Sequence, residues 1–157
     1  MEDGWQRVLR NLADAEATPT PIGQTGFSGN ENTTCVNANE WYPVAGTFSN
    51  ETDINEAFEK VAGGLKAMKS CKAIFGGSGN ILANKASIIT LGLFVNGVNF
   101  AKADTVVSFE APLRTMPAAR TIALSIPKDA VLDIRVKSSV TTTIVTVGQL
   151  NALFVGI

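Results

Sequence analysis

The segment that comes closest to a reactive motif is the glycine-rich run Gly76-Gly77-Ser78-Gly79-Asn80. A phosphate-binding loop places such glycines between a strand and a helix, usually with a Lys-Ser/Thr pair behind them. Here Ile81 and Leu82 follow and begin another strand-like stretch. The run is therefore predicted to be the loop of a hairpin.

The side chains that usually carry acid–base or metal chemistry are missing or scattered. The chain has no histidine, which removes the commonest general base and a frequent metal ligand. No serine stands in a Gly-x-Ser-x-Gly elbow. Asp129 and Asp133 lie too far apart along a strand to act as a pair of carboxylates. We expect no catalytic residue, no metal site and no cofactor, and a protein that is not an enzyme.

Two other pairs of residues leave alternatives open. Cys35 and Cys71 could form a disulfide if two strands bring them together, but two reduced, partly buried thiols are favoured. Trp41 and Tyr42 could stack on a sugar ring, although they are better interpreted as an anchor of the first strand in the core.

The elements that must position these residues are short alternating strands. In Val131–Lys137, Leu132, Ile134 and Val136 face one side, and the charged residues between them face the other. Strands are predicted near 34–36, 41–47, 64–69, 72–75, 86–95, 106–112, 121–126, 130–137, 141–147 and 150–157. Asn96-Gly97 is the strongest hairpin signal between them. Thr52–Val61 fits either a helical turn or, as we prefer, an irregular loop that enters a strand.

The first 33 residues have a different character from the rest of the chain. Four apolar residues lie at helical spacing, which predicts a short amphipathic helix: Trp5, Val8, Leu9 and Leu12. An extended arm stiffened by Pro19 and Pro21 follows. The predicted organisation is a helix and linker arm over residues 1–33 and a β-domain over residues 34–157. The helix could pack on its own domain, bundle with copies of itself or bind another protein.

Charge is distributed unevenly along the chain. Residues 1–60 contain ten acids and three bases (net −7), and the remainder contains four acids and ten bases (net +6). The two halves either interleave on one mixed surface or present an acidic front to a basic neighbour. The bases are spread singly, which argues against nucleic-acid binding. Apolar runs are too short for a membrane span, and no signal peptide is visible.

Three segments resemble small trimeric jelly-roll domains of bacteriophage virion proteins, and also tumour-necrosis-factor-like and complement-type jelly rolls. They are 39–48 with the sequence NEWYPVAGTF, 86–98 with its Asn-Gly turn, and 127–136 together with the final LFVGI. The resemblance covers about residues 34–157. It implies an all-β, antiparallel jelly-roll β-sandwich that assembles as a homotrimer.

That resemblance implies a structural virion protein, assembled in the host cytoplasm, which decorates and cements a capsid by binding the major capsid protein or another virion protein. The residues predicted to dock on the capsid are Trp5, Val8, Leu9, Leu12, Pro19 and Pro21. Those predicted to line the trimer axis are Phe94, Phe109 and Phe154. The alternative is the receptor-binding head of a tail fibre, spike or baseplate, with contacts from loops 100–106 or 114–120. A non-viral trimeric lectin or cytokine-like domain is a third, less favoured possibility.

Overall fold

The computed structural model describes residues 22–29, 31–50, 58–148 and 150–155. At positions 22–28, 47, 49, 50, 71–79, 120 and 150–155 it describes the backbone. The described residues form fourteen strands and one turn of 3₁₀ helix (Ala101–Ala103). The strands are β1 (Ile22–Ser28), β2 (Asn32–Cys35), β3 (Tyr42–Pro43), β4 (Thr47–Asn50), β5 (Phe58–Val61), β6 (Gly64–Ala67), β7 (Cys71–Ala83), β8 (Ser87–Val95), β9 (Val98–Asn99), β10 (Thr105–Phe109), β11 (Arg114–Ile126), β12 (Val131–Ser138), β13 (Thr143–Val147) and β14 (Leu150–Val155).

Sheet A is built around β7. Along one edge of β7, β11 pairs over its whole length, from Arg114 opposite Ala83 to Ile126 opposite Cys71. The other edge pairs with β14 and then with β13. The sheet continues from β14 through β1 to β4, and from β13 to β2.

Sheet B is built around β8 and β12, in the order β10-β8-β12-β6-β5. The short strands β3 and β9 extend it, on β12 and β8 respectively. Every strand pairing among the described residues is antiparallel. The predicted all-β, antiparallel jelly-roll sandwich is confirmed.

The core lies between the two sheets, and the alternation read in the sequence builds it. Leu132, Ile134 and Val136 of β12 are buried, while the residues between them are partly exposed. Ile81 and Val145 of sheet A are fully buried on the other side of this core. Burying large aliphatic side chains contributes about 1.5–3 kcal/mol each to stability, so these alternating positions hold the sheets together.

Two expectations about local structure are corrected. Gly76–Asn80 is not a hairpin loop but lies inside β7, where Gly77 pairs with Arg120 on one side and Ala152 on the other. The sandwich also begins earlier than residue 34. Ile22–Ser28, assigned to the arm, is a strand that pairs with β14 and β4.

The turns largely follow the residue chemistry. Asn96 and Gly97 both have positive φ (51° and 76°), as a type I′ hairpin turn requires, so that prediction is confirmed. Asp129 also has positive φ and stands in the turn before β12, so it does not share a strand face with Asp133. Of the uncertain stretch Thr52–Val61, the described part Phe58–Val61 is strand β5.

Candidate interaction surfaces

The outer face of sheet A carries no charge among its described side chains. Along β11 every second residue points outward and is exposed, whereas Ala118, Leu124 and Ile126 between them are buried. The pairing register puts alternate residues of β7, β13 and β2 on the same face. The described members are Asn32, Thr34, Asn80, Leu82, Thr115, Pro117, Ala119, Thr121, Ala123, Ser125, Ile144 and Thr146. Most of these described side chains are small and none is charged, so this part of the face is readily desolvated. The register also places the backbone of Lys72 opposite Ser125.

Three exposed large apolar residues extend this face at the end where β7 finishes. Val36, Leu113 and Ile144 are 55 %, 72 % and 37 % exposed. The main chain places them together, because Leu113 N–H donates to Ala83 O and Thr142 N–H donates to Val36 O. Leu113 also has φ of 58°, a conformation unfavourable for a side chain with a Cβ. We call this group the apolar corner.

The outer face of sheet B is charged along β12 and β6, and it is apolar toward β10, where Ile88 and Val106 are exposed. Asp133, Arg135 and Lys137 alternate along β12, and Arg135 Nε forms an ion pair with Asp133 Oδ2 at 2.6 Å. Lys66 of the adjacent β6 shares this face and pairs with Asp129 at 3.0 Å. The described side chains of the two outer faces therefore differ in charge.

Trp41 lies on the outer face of sheet B, packed across Gly92. Its ring meets Phe94 edge-on, with centroids 5.2 Å apart. Lys137 Nζ lies 4.5 Å from the Trp41 ring centroid, and the Arg135 guanidinium lies 4.3 Å from the Phe94 centroid. The expected position of Trp41 in the core is wrong, because its ring lies on the outer face with Lys137 over it. Stacking of Trp41 on a sugar ring stays a prediction. The signal that sequence analysis missed is Gly92, whose missing side chain leaves room for the indole.

Tyr42 packs against the core and closes the preceding turn. Its hydroxyl donates to Glu40 Oε2 at 2.8 Å and accepts from Asn37 N–H at 3.0 Å. Asn37 also donates to the same Glu40 oxygen at 2.6 Å. These hydrogen bonds, above all the one from Asn37 and next the one from Tyr42, lower the pKa of the Glu40 carboxyl. This network holds the chain that carries Trp41 over Gly92.

The three residues predicted to line a trimer axis do not share a free surface. Phe109 is 3 % exposed and belongs to the core between the sheets. Phe94 is 4 % exposed and lies under Arg135 on the outer face of sheet B. Phe154 is a backbone position opposite Phe75 of β7, in sheet A. The docking residues Trp5, Val8, Leu9, Leu12, Pro19 and Pro21 lie outside the described residues.

The two loops proposed for receptor contact are mostly regular structure. Residues 114–120 form the first half of β11, and residues 105 and 106 belong to β10. Pairing with β7 makes β11 begin at Arg114 and not at the expected residue 121, and β10 begins at Thr105, one residue before its expected start. What remains as a connection is the 3₁₀ turn around Ala101–Ala103.

Cys35 and Cys71 lie at opposite ends of sheet A. Cys71 begins β7, whereas Cys35 pairs with Thr143 beyond the level of Ala83, where β7 ends. Twelve strand residues separate these levels by roughly 40 Å, so the intrachain disulfide is excluded. Cys35 is fully buried, and burial raises the pKa of its thiol.

Across the described ranges, no three His, Cys, Asp or Glu side chains are grouped as metal ligands would be. Nor does that part of the chain contain a helix long and apolar enough to cross a membrane.

Solved structures share this arrangement of strands. The Eiger TNF of S. frugiperda matches with a TM-score of 0.61 at 11 % identity, over 87 % of this chain and 94 % of that one. Two crystal structures of murine APRIL also match, each over 81 % of this chain and 98 % of that one. The structure at pH 5.0 has a TM-score of 0.57 at 6 % identity, and the structure at pH 8.5 has a TM-score of 0.53 at 7 % identity. The sequence matches no protein-family model and no curated protein. The chain therefore has the jelly-roll fold that a TNF and APRIL also adopt.

Proposed function

We propose that this chain is a non-enzymatic structural protein of a virion, a homotrimer that decorates and stabilises a capsid. In this proposal sheet A forms the contact between copies. The segment before β1 attaches the trimer to the major capsid protein or another virion protein. The resemblance of residues 34–157 to phage jelly-roll domains supports the virion setting.

The difference in charge between the two outer faces carries the proposal. A face that stays in water normally bears ions, as sheet B does through Lys66, Asp133 and Lys137. The described part of the sheet A face bears none and ends in the apolar corner. Flat, uncharged surface of this kind is typical of contacts between identical subunits.

A charge placed in the middle of that face tests the proposal. Ala119 is exposed at the centre of β11, and Ala119→Arg adds a charge that assembly would have to desolvate. Ser108→Arg is the matched control, because Ser108 is exposed on the opposite face of the molecule, on β10. Native mass spectrometry should give three times the 16.5 kDa chain mass for wild type and Ser108→Arg. Ala119→Arg should be monomeric. A monomeric wild type, or a trimeric Ala119→Arg, would contradict the proposal.

Attachment is tested separately by truncation. Because β1 begins at Ile22, removing residues 1–21 leaves the described sandwich intact. The truncated protein should remain a trimer but no longer bind capsids. Truncated protein that still decorates capsids at full occupancy would exclude the arm. Decoration also implies on the order of hundreds of copies per virion, which quantitative mass spectrometry of purified particles measures.

The apolar corner favours a second candidate, the receptor-binding head of a tail fibre, spike or baseplate. Val36 and Leu113 lie at the end of sheet A opposite Ile22, where the N-terminal segment joins. An attached head would present this end outward. Binding of the purified protein to host cells, competed by sugars, together with a few tens of copies or fewer per virion, would favour the head over the decoration protein.

A further inference from the structure

A cavity of about 270 Å³ opens along one edge of β12. At that edge β3 pairs with Arg135 and Val136, and β6 pairs with Val131 and Leu132. Between these two pairings, Asp133 and Ile134 have no strand beside them on this edge in the described chain, while their other edge pairs with β8. Val44 N–H bridges part of the gap by donating to Ile134 O at 3.1 Å. The space left over is lined by the chain that follows β3 and by the β5–β6 hairpin.

The inner walls of the cavity are apolar. Val44, Phe48 and Ile134 are 8 %, 8 % and 7 % exposed and belong to the core cluster. Val61, half-buried, forms part of the hairpin wall. An alkyl or aryl group placed here would therefore contact the hydrophobic core directly.

The described part of the cavity mouth carries one charge. Lys60 is exposed, and among the described residues that line the cavity it alone is charged. Its neighbour Glu59 is outside the lining and pairs in register with Lys66 on the outer face of sheet B. A ligand with an apolar body and an anionic head would match both the walls and the mouth.

We propose that this cavity binds a small amphiphilic carboxylic acid, with its hydrocarbon part against Val44, Phe48 and Ile134 and its carboxylate beside Lys60. The volume corresponds to about nine water-sized groups, which is the size of an eight-carbon acid with its carboxylate at the mouth. The cavity proposal does not depend on the proposed contact through sheet A. Its test is independent of whether the chain forms a trimer or decorates a capsid.

Calorimetric titration of the full chain with a series of carboxylates measures the apolar contribution. From butanoate to octanoate, each added methylene should tighten binding about fourfold, since burying one methylene is worth about 0.8 kcal/mol. 1-Octanol, which has the same chain without the charge, should bind about two- to fivefold more weakly, as expected for an exposed ion pair. Absence of saturable octanoate binding, or equal binding of octanol and octanoate, would overturn the proposal.

Two variants locate the ligand. Lys60→Met should weaken octanoate binding to the level of octanol and leave octanol unaffected, whereas Glu59→Gln on the same hairpin should change neither. Val61→Phe should fill the cavity and abolish binding, while thermal denaturation shows that it remains folded. Ala62→Ser, a milder change in the same wall, should retain binding. Octanoate affinity that is unchanged in Val61→Phe would place the ligand elsewhere and contradict the site.

Discussion

Asn99 Nδ2 donates a hydrogen bond to Asp104 Oδ2 at 3.2 Å, while the Oδ1 atoms of both side chains are buried with no donor among the described residues. A carboxylate oxygen held away from water without a donor destabilises the folded state. Asp104→Asn keeps the size of the side chain and gives residue 104 an N–H of its own. We expect the free energy of unfolding in urea to rise by about 1–2 kcal/mol. Asn99→Asp, which would place a second carboxylate against that of Asp104, should lower the free energy of unfolding. An Asp104→Asn protein less stable than wild type would contradict this account.

Gly92 is required by the packing of Trp41. A Cβ at this position would lie 2.7 Å from the Trp41 ring and 3.0 Å from Asp104 Oδ1. Gly92→Ala should therefore displace the indole and shift the fluorescence of Trp41. It should also lower the free energy of unfolding by about 1–3 kcal/mol. The measurement is made in a Trp5→Phe background, so that a single tryptophan reports.

Gly97→Ala is the control for Gly92→Ala. Gly97 has φ of 76°, and its nearest atom would be 3.9 Å from the added Cβ. Gly97→Ala should lower the free energy of unfolding by about 1–2 kcal/mol through backbone strain and leave the Trp41 fluorescence unchanged. Equal spectral shifts in the two variants would show that the Trp41 contact is not the cause.

The pair formed by Lys66 and Asp129 should make stability depend on pH. The hydrogen bond from Lys66 lowers the pKa of Asp129, and the hydrogen bond to Asp129 raises the pKa of Lys66. The contribution of Asp129 is therefore present above its unfolded pKa of 3.8 and is lost as the pH falls through its lower folded value. The contribution of Lys66 is present below 10.5 and is lost as the pH rises through its higher folded value.

Asp129→Asn removes the charge and still tolerates the positive φ at this turn. Its free energy of unfolding should fall less steeply than that of wild type between about pH 5 and 3. The charge of Lys128 also lowers the pKa of Asp129, so Lys128→Gln should flatten the curve less than Asp129→Asn does. Lys85→Gln is the control that should keep the wild-type slope, because Lys85 Nζ donates to Thr141 O and does not contact the pair. Parallel curves for wild type and Asp129→Asn would show that the ion pair contributes nothing measurable.

The Cys35 thiol should be unreactive in the folded protein. It is fully buried, and burial raises the pKa of its thiol, so little thiolate is present at neutral pH. A thiol reagent should label Cys35 only after denaturation, and a reductant should not change the melting temperature. Mass spectrometry of the unreduced monomer should show no link between Cys35 and Cys71, and finding one would contradict the described sheet.

Leu113 is unfavourable for an isolated chain in two ways. It exposes 72 % of a large apolar side chain and holds it at φ of 58°. Leu113→Asn should raise the stability of the monomeric Ala119→Arg protein by about 0.5–1 kcal/mol, because Asn tolerates this conformation. In the wild-type background it should weaken whichever contact the apolar corner makes. If Leu113→Asn stabilises the protein and leaves both assembly and cell binding unchanged, the apolar corner makes no contact with a partner.

The alternation of Leu132, Ile134 and Val136 and the Asn96-Gly97 turn could be predicted from sequence, because local chemistry determines both. Gly76–Asn80 could not. Glycine-rich sequence favours turns locally, but the pairing of β7 along both edges outweighs that preference. β1 was missed for the same reason, since its glycines and lack of alternation resemble a linker until β14 supplies a partner.

The interaction surfaces were harder to predict than the fold. Phe94 and Phe109 stand on neighbouring strands, yet one faces outward under Arg135 and the other inward, because register assigns each to a face. The described, uncharged residues of the sheet A face are spread over four strands distant in sequence. No single stretch of residues shows it, and only the pairing of β2, β13, β7 and β11 assembles it.

The position of β14 between β1 and β7 has a consequence for biosynthesis. β1 leaves the ribosome early, but its main neighbour is made about 120 residues later, and the central strand β7 also waits for β11, β13 and β14. Sheet B can pair β6, β8, β10 and β12 while the chain is still being extended. The nascent protein would therefore expose the edges of β1 and β7 until synthesis reaches residue 155, and chaperone binding is expected to concentrate in that interval.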